Sequence, residues 1–360
     1  DYWIWKFANQ LDNDYASWQH VRSTSDIYAG EGFTMKGPGT GNVIDNQNYV
    51  FNGKPNNGNI TLSINTGNDY LVGNPYSSAI DANKFILDNS DTTGALYYWE
   101  HFGGGTHNTI EYQGGYAVYN LSGGIPAIQY DYSTGGSDPS GGTGLKTPGR
   151  YIPVAQGFFV IGNANGTINF NNSQRIFKKE NESSVFVRSS NRAATRSFND
   201  EADNRLKIRL SFESSDTLKR QLLITRDSQA TNQIDFGYDA VNKDLQTNDM
   251  FWIINNDKFV IQGTNIIDMS TILPIGILTN TNGINIFKID ALENVPSDLD
   301  IFIHDKSLQT FHNLRSSDFH IDLPAGEYLD RFEITFTNQS LLVNAVEDAI
   351  INFYYLNESN

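Results

Sequence analysis

Ala155-Gln156-Gly157-Phe158-Phe159-Val160, followed after a short break by Asn165-Gly166-Thr167-Ile168-Asn169-Phe170, is the stretch on which the fold turns. The first run is short, apolar and aromatic behind a glycine. The second is opened by Asn-Gly and alternates polar with apolar residues, which is the period of a half-buried strand. The same order occurs earlier, as Ala29-Gly30-Glu31-Gly32-Phe33-Thr34-Met35 and then Asn57-Gly58-Asn59-Ile60-Thr61-Leu62. A duplicated strand-turn-strand unit, each copy pairing an aromatic strand with a later Gly-led strand as two halves of one sandwich, explains the echo.

Working outward, short apolar or alternating runs punctuated by Gly and Asn occupy residues 2–7, 32–35, 58–64, 70–72, 96–99, 116–120, 157–161 and 167–170. All read as strands. One short helix is expected near residues 79–86, with Asp81 as its N-cap. Residues 178–204 change texture, with Ser, Asn, Arg, Lys and Glu replacing apolar residues. A second series of strand-like runs follows at residues 206–212, 221–225, 250–254, 259–262, 283–291, 299–304, 319–323 and 331–336. The chain has 360 residues, and single cores stop growing at roughly 250–300. The expected fold class is therefore all-β, with two antiparallel β-sandwich domains of jelly-roll or immunoglobulin-like type. The first takes residues 1–178, a linker 179–204, the second 205–338, and residues 339–360 begin a further domain.

Lys and Arg number 25 against 41 Asp and Glu, a net charge of −16. Such a surface repels a phosphate backbone, so nucleic acid is not an expected partner. The absence of cysteine removes disulfides, thiolate metal sites and cysteine nucleophiles, leaving burial and sheet pairing to stabilise the chain. No apolar run reaches the ~18–20 residues of a membrane-spanning helix. The chain opens at Asp1-Tyr2-Trp3 inside a strand-like segment, and we expect a longer precursor to precede it.

The segment Tyr70-Leu71-Val72-Gly73-Asn74-Pro75-Tyr76-Ser77-Ser78-Ala79-Ile80-Asp81, together with Tyr151-Ile152-Pro153-Val154 leading into the run at 155–160, resembles the C-terminal regions of large secreted proteins of Bacteroidota. Phe236-Gly237-Tyr238-Asp239-Ala240 and Ala325-Gly326-Glu327-Tyr328-Leu329 add to the resemblance. In that family these regions precede a sorting domain of the type IX secretion system, and residues 341–357 look like its opening strands. The resemblance implies an outer-surface or secreted location in a Gram-negative bacterium. It also implies the type IX translocon and outer-membrane shuttle and attachment proteins as partners, and it implies no particular chemistry.

Chemistry is sought first among acidic loops, because calcium takes six to eight oxygen ligands. Asp227, Asp235, Asp239 and Asp244 lie in one Gly/Asn-containing stretch and are the first metal candidates; Asp12, Asn13 and Asp14 are the second. The alternative for the first set is an acidic surface loop with Asx turns. Among the six histidines, His101 and His107 flank Gly103-Gly104-Gly105, but none forms a His-Glu-x-x-His array. Gly-x-Ser-x-Gly is absent, and the glycines of residues 135–144 lack the Gly-Lys-Ser/Thr of a phosphate cradle. No catalytic residue is assigned. Aromatic rings that stack on sugars are the stronger binding candidates: Trp3, Trp5, Trp18, Tyr98 and Trp99, with Tyr97 beside them. In alternating strands half of these must face the core. The leading expectation is a non-catalytic stalk, spacer or adhesin region; a glycan-binding module or a polysaccharide-active enzyme using paired carboxylates is the alternative.

Overall fold

A computed structural model describes residues 3–12, 15–35, 50, 52–103, 113–130, 146–179 and 203–338. The described chain is all-β, and its strands fall mainly into two systems. In the first, a five-stranded antiparallel sheet runs in the order Asp69–Gly73, Gly157–Ile161, Leu96–Gly103, Gln113–Asn120 and Gly123–Ile125. The second is a ten-strand path with two short additions, built almost wholly from residues 207–335. The expected linker and the expected start of a sorting domain fall mostly outside the described residues.

The two echoing units pair with each other, and neither pairs its aromatic strand with its own Gly-led strand as expected. The two Gly-led strands, Ile60–Ile64 and Gly166–Phe170, pair with each other antiparallel, Leu62 opposite Ile168. The two aromatic segments flank one strand from opposite sides. Gly157–Ile161 pairs along Asp69–Gly73, while Glu31 bridges Val72 and the Gly32 N–H donates to the Leu71 carbonyl at 2.9 Å. A Cβ on Gly32 would stand 2.6 Å from the Val72 oxygen, so this close approach requires glycine.

Asp81 caps a helix, as expected. The helix is Ala82–Leu87, and the Asp81 side chain accepts from the Asn83 N–H at 3.1 Å. Its carboxylate also takes a two-point contact from Arg150, at 3.0 and 2.9 Å. The Gly73-Asn74-Pro75-Tyr76 corner is a structural turn. Asn74 Oδ1 accepts from the Tyr76 N–H, and its amide donates to the carbonyls of Ser78, Ile152 and Pro153.

In the second system the strand order is Thr310–Asn313, Phe302–Asp305, Gly326–Thr335, Ile272–Thr279, Asp249–Ile254, Asp257–Thr264, Leu218–Arg226, Lys207–Glu213, Gly283–Glu293 and Phe319–Leu323. Its two end strands are neighbours in sequence, joined by residues 314–318. Six peptide steps reach about 20 Å at most, so the sheet must curl until its edges nearly meet. The rings of His312 and Phe319, one on each end strand, lie 5.2 Å apart. The result is a nearly closed, barrel-like sandwich with one departure from the antiparallel expectation: Leu223–Arg226 runs parallel to Ile261–Thr264.

Ile272–Thr279 is absent from the sequence reading because Pro274 and Gly276 break its strand signal. Pro274 is tolerated because the ladder with Asp249–Ile254 stops at Ile275, leaving that side of the strand an edge. Gly276 accommodates the Phe251 ring, which a Cβ would meet at 2.1 Å.

The two systems share a core. One buried cluster includes Phe7, Leu71, Tyr97, Val118 and Phe159 from the first and Ile208, Leu223, Trp252, Ile275 and Phe332 from the second. Main-chain contacts reinforce it. Gln129–Tyr130 pairs with Leu218 and Lys219, and the tight turn at 121–124 is held by the Leu121 N–H on Gly237, Arg205 on Leu121, Thr225 on Ser122 and Arg209 on Gly124.

Candidate functional site

Where the two systems meet, the loop after Val241 carries a lysine into an aromatic recess. The loop is fixed from beneath by Arg220, 1% exposed, on strand Leu218–Arg226. Its guanidinium grips Asp249 with two bonds of 2.8 Å and Asp244 at 3.0 Å. Asp249 also accepts from Asn242 and from the Gln246 N–H, so this fully buried carboxylate is satisfied. The second Asp244 oxygen accepts from the Tyr116 N–H at 2.8 Å, crossing to the first sheet. A Cβ on Gly115 would sit 2.9 Å from that oxygen, so the loop docks where the strand presents glycine.

Held this way, Lys243 turns its Nζ into the recess. Its side chain is 5% exposed and touches Asp69, itself 4% exposed, on the five-stranded sheet; Asp12 contacts the same Nζ at 2.5 Å. The Nζ also lies 5.4 Å from the Tyr116 ring centre and 5.6 Å from that of Phe159. Tyr97 closes the recess, its hydroxyl donating to the Val241 carbonyl at 3.3 Å. Burial pushes the Asp69 carboxyl up to about 6, with Lys243 pulling in the opposite direction. Burial also raises the Tyr97 and Tyr116 hydroxyls, and the nearby carboxylates add to the effect.

The aromatic candidates divide between surface and core. Trp3 and Trp99 are exposed, at 52% and 45%. Trp5 stacks on His20 with ring centres 4.5 Å apart. Trp18 packs edge-on against Phe7 and Phe159, and Tyr98 is buried, so neither presents a ring face as a binding platform. Trp99 is positioned by its neighbours: Tyr116 meets its ring at 5.1 Å, and a Cβ on Gly114 of the next strand would lie 2.3 Å from the indole. Trp18 and Trp99 thus end a chain of rings that passes through Phe159 and Tyr116.

The expected metal set does not assemble. Asp227 pairs with Arg205 at 2.8 Å, Asp235 receives the Thr231 hydroxyl, Asp239 accepts the N–H groups of Asp235 and Gly263, and Asp244 serves Arg220 and Tyr116. Each carboxylate is held by a different partner, two of them by arginines that the sequence reading did not anticipate. Among the described residues no three His, Asp or Glu side chains form a metal-holding group. Of the second metal candidate, Asp12 belongs to the lysine cluster, while residues 13 and 14 lie outside the described residues, as do His107 and residues 135–144.

Lys243 and Asp69 escaped the sequence reading because 174 positions separate them. Lys243 also sits among acidic residues that resemble any solvated loop. A lysine inside an acidic Asn/Asp stretch was the available signal, and it has no reach without a partner.

These features define an all-β protein whose two sheet systems share one buried cluster, the first having a second cluster of its own, with a lysine–carboxylate cluster where they join. The chain belongs to the family described as "Domain of unknown function (DUF8693)", whose model matches residues 1–336. No curated protein and no solved structure matches it. No described helix is long and apolar enough to cross a membrane.

Proposed function

We propose that this chain is a non-catalytic module of an exported surface protein, a rigid spacer or adhesive segment that reaches the outer surface by the type IX route. The observation that carries the reading is the union of the two sheet systems through one core and a set of cross-sheet hydrogen bonds. A segment that holds other domains away from a cell benefits from transmitting position without bending, and shared burial supplies that stiffness. The carboxylates of Asp81, Asp227, Asp244 and Asp305 are held in ion pairs by Arg150, Arg205, Arg220 and Arg331, which suits a structural role. The test is turnover on a panel of bacterial and algal glycans, paired with surface protease accessibility in the source cell. No turnover and surface exposure are expected; hydrolysis or lyase activity would refute the reading.

Trp99 favours a second component, glycan contact. It is exposed yet oriented by Tyr116 and Gly114, and a ring already held in place loses little freedom on stacking against a sugar. Binding on a glycan array should fall about five- to thirtyfold in Trp99→Ala, the loss of one stacking contact of about 1–2 kcal/mol. It should persist in Trp18→Phe. Equal binding by wild type and Trp99→Ala would remove this component and leave the spacer role.

A further inference from the structure

We propose that Lys243 and Asp69 become joined by an intramolecular amide bond, formed with loss of water and assisted by the Asp12 carboxylate. Three independent features of the recess point there. The amine and the acid are in direct contact, each side chain no more than 5% exposed, so the reacting groups are held together without intervening solvent. Fixing two reactants in this way replaces a bimolecular encounter with an effectively unimolecular one. A second carboxylate touches the same nitrogen at 2.5 Å, where it can take and return a proton. The rings of Tyr116 and Phe159 cover the nitrogen, and Tyr97, Asp244 and Arg220 are the remaining ionisable neighbours. Lys243 and Asp69 are shielded, while the Asp12 side chain is 55% exposed and gives the released water a way out, after which the shielded amide is out of reach of hydrolysis.

The atoms balance without an external reagent. The ammonium carries three protons, and the Asp69 carboxyl reacts in its protonated form, which burial favours at mildly acidic pH. Lys243 gives one proton to Asp12, and the neutral Nζ then attacks Asp69 Cγ to form a tetrahedral adduct. The carbon–oxygen bond to one hydroxyl breaks, and that hydroxyl leaves as water with a proton delivered by Asp12. The amide keeps one proton on nitrogen, water takes two, and the fourth remains on Asp12, from which it passes to solvent. An uncharged amide then replaces a buried pair that would otherwise bear the cost of desolvating both ions. The bond ties the first sheet to the loop of the second in a chain that has no cysteine.

The experiment is intact-mass measurement of the folded full chain after incubation at mildly acidic pH, followed by tryptic mapping. The wild type should weigh one water less than its sequence requires. A peptide left uncut at Lys243 should be joined to the peptide containing Asp69. Lys243→Arg and Asp69→Ala should show the full sequence mass, and Asp12→Asn should form the link at least about 100-fold more slowly, the scale of a lost acid–base group. A folded wild type at full mass would overturn the proposal. So would water loss that maps within a single peptide, or linkage that survives Lys243→Arg.

Discussion

At the level of single residues, the described protein places several carboxylates where burial and pairing compete. Asp239 accepts two backbone N–H groups, which favour its charged form, yet burial outweighs them and pushes its carboxyl up to about 7. An unfolded aspartate titrates near ~3.9. Between these values the folded chain keeps a proton that the unfolded chain has lost. The stability Asp239 contributes is therefore complete below about pH 4 and declines as pH rises towards 7. Melting temperature measured across that range should fall less steeply in Asp239→Asn than in the wild type; parallel curves would show that Asp239 does not titrate there. Asp305 goes the other way. Burial opposes ionisation, but the Arg331 guanidinium and backbone N–H groups outweigh it and hold the carboxyl below its usual range.

Elements are decided by how local preference meets its neighbours. The short helix Ala82–Leu87 has too few turns to persist alone. Asp81 holds it by capping the Asn83 N–H and by binding Arg150, whose backbone carbonyl receives the Ala82 N–H. Asp81→Ala should cost about 1–2 kcal/mol, a lost cap plus a half-exposed ion pair, while Asp81→Asn, which keeps the cap, should cost less. Equal losses in denaturant titrations would place the whole effect on the charge. The Asp91-Thr92-Thr93 segment shows the same dependence on context: the Thr92 hydroxyl is buried and donates to the Asn89 carbonyl at 2.8 Å, while the Asp91 carboxylate accepts the Thr167 N–H.

Across the whole molecule, one buried cluster spans both sheet systems while a second lies within the first, and the shared one is expected to make them unfold together. Calorimetry should give a single transition whose calorimetric and van't Hoff enthalpies agree for the described body; two separated transitions would mean that the seam is weak. The seam closes a long loop, 174 positions between Asp69 and Lys243. A covalent tie there restricts the unfolded chain by on the order of 5 kcal/mol through loop-closure entropy. Its stabilising effect would come mainly from what it denies the denatured ensemble, since the folded contacts already exist.

Alternation of apolar residues, glycine-led turns and missing cysteines were enough to determine strands and an all-β class. These signals are local, and a strand's two faces are written in its own residues. The pairing of Ile60–Ile64 with Gly166–Phe170 joins the two copies of the echo, where the sequence suggested pairing within each copy. The near-closure of the second sheet, the strand through Pro274 and the meeting of Lys243 with Asp69 and Asp12 arose only on folding. Which side chain faces which across a core depends on how sheets curl and stack, a property of distant segments acting together. A lone lysine or aspartate carries no local mark of it.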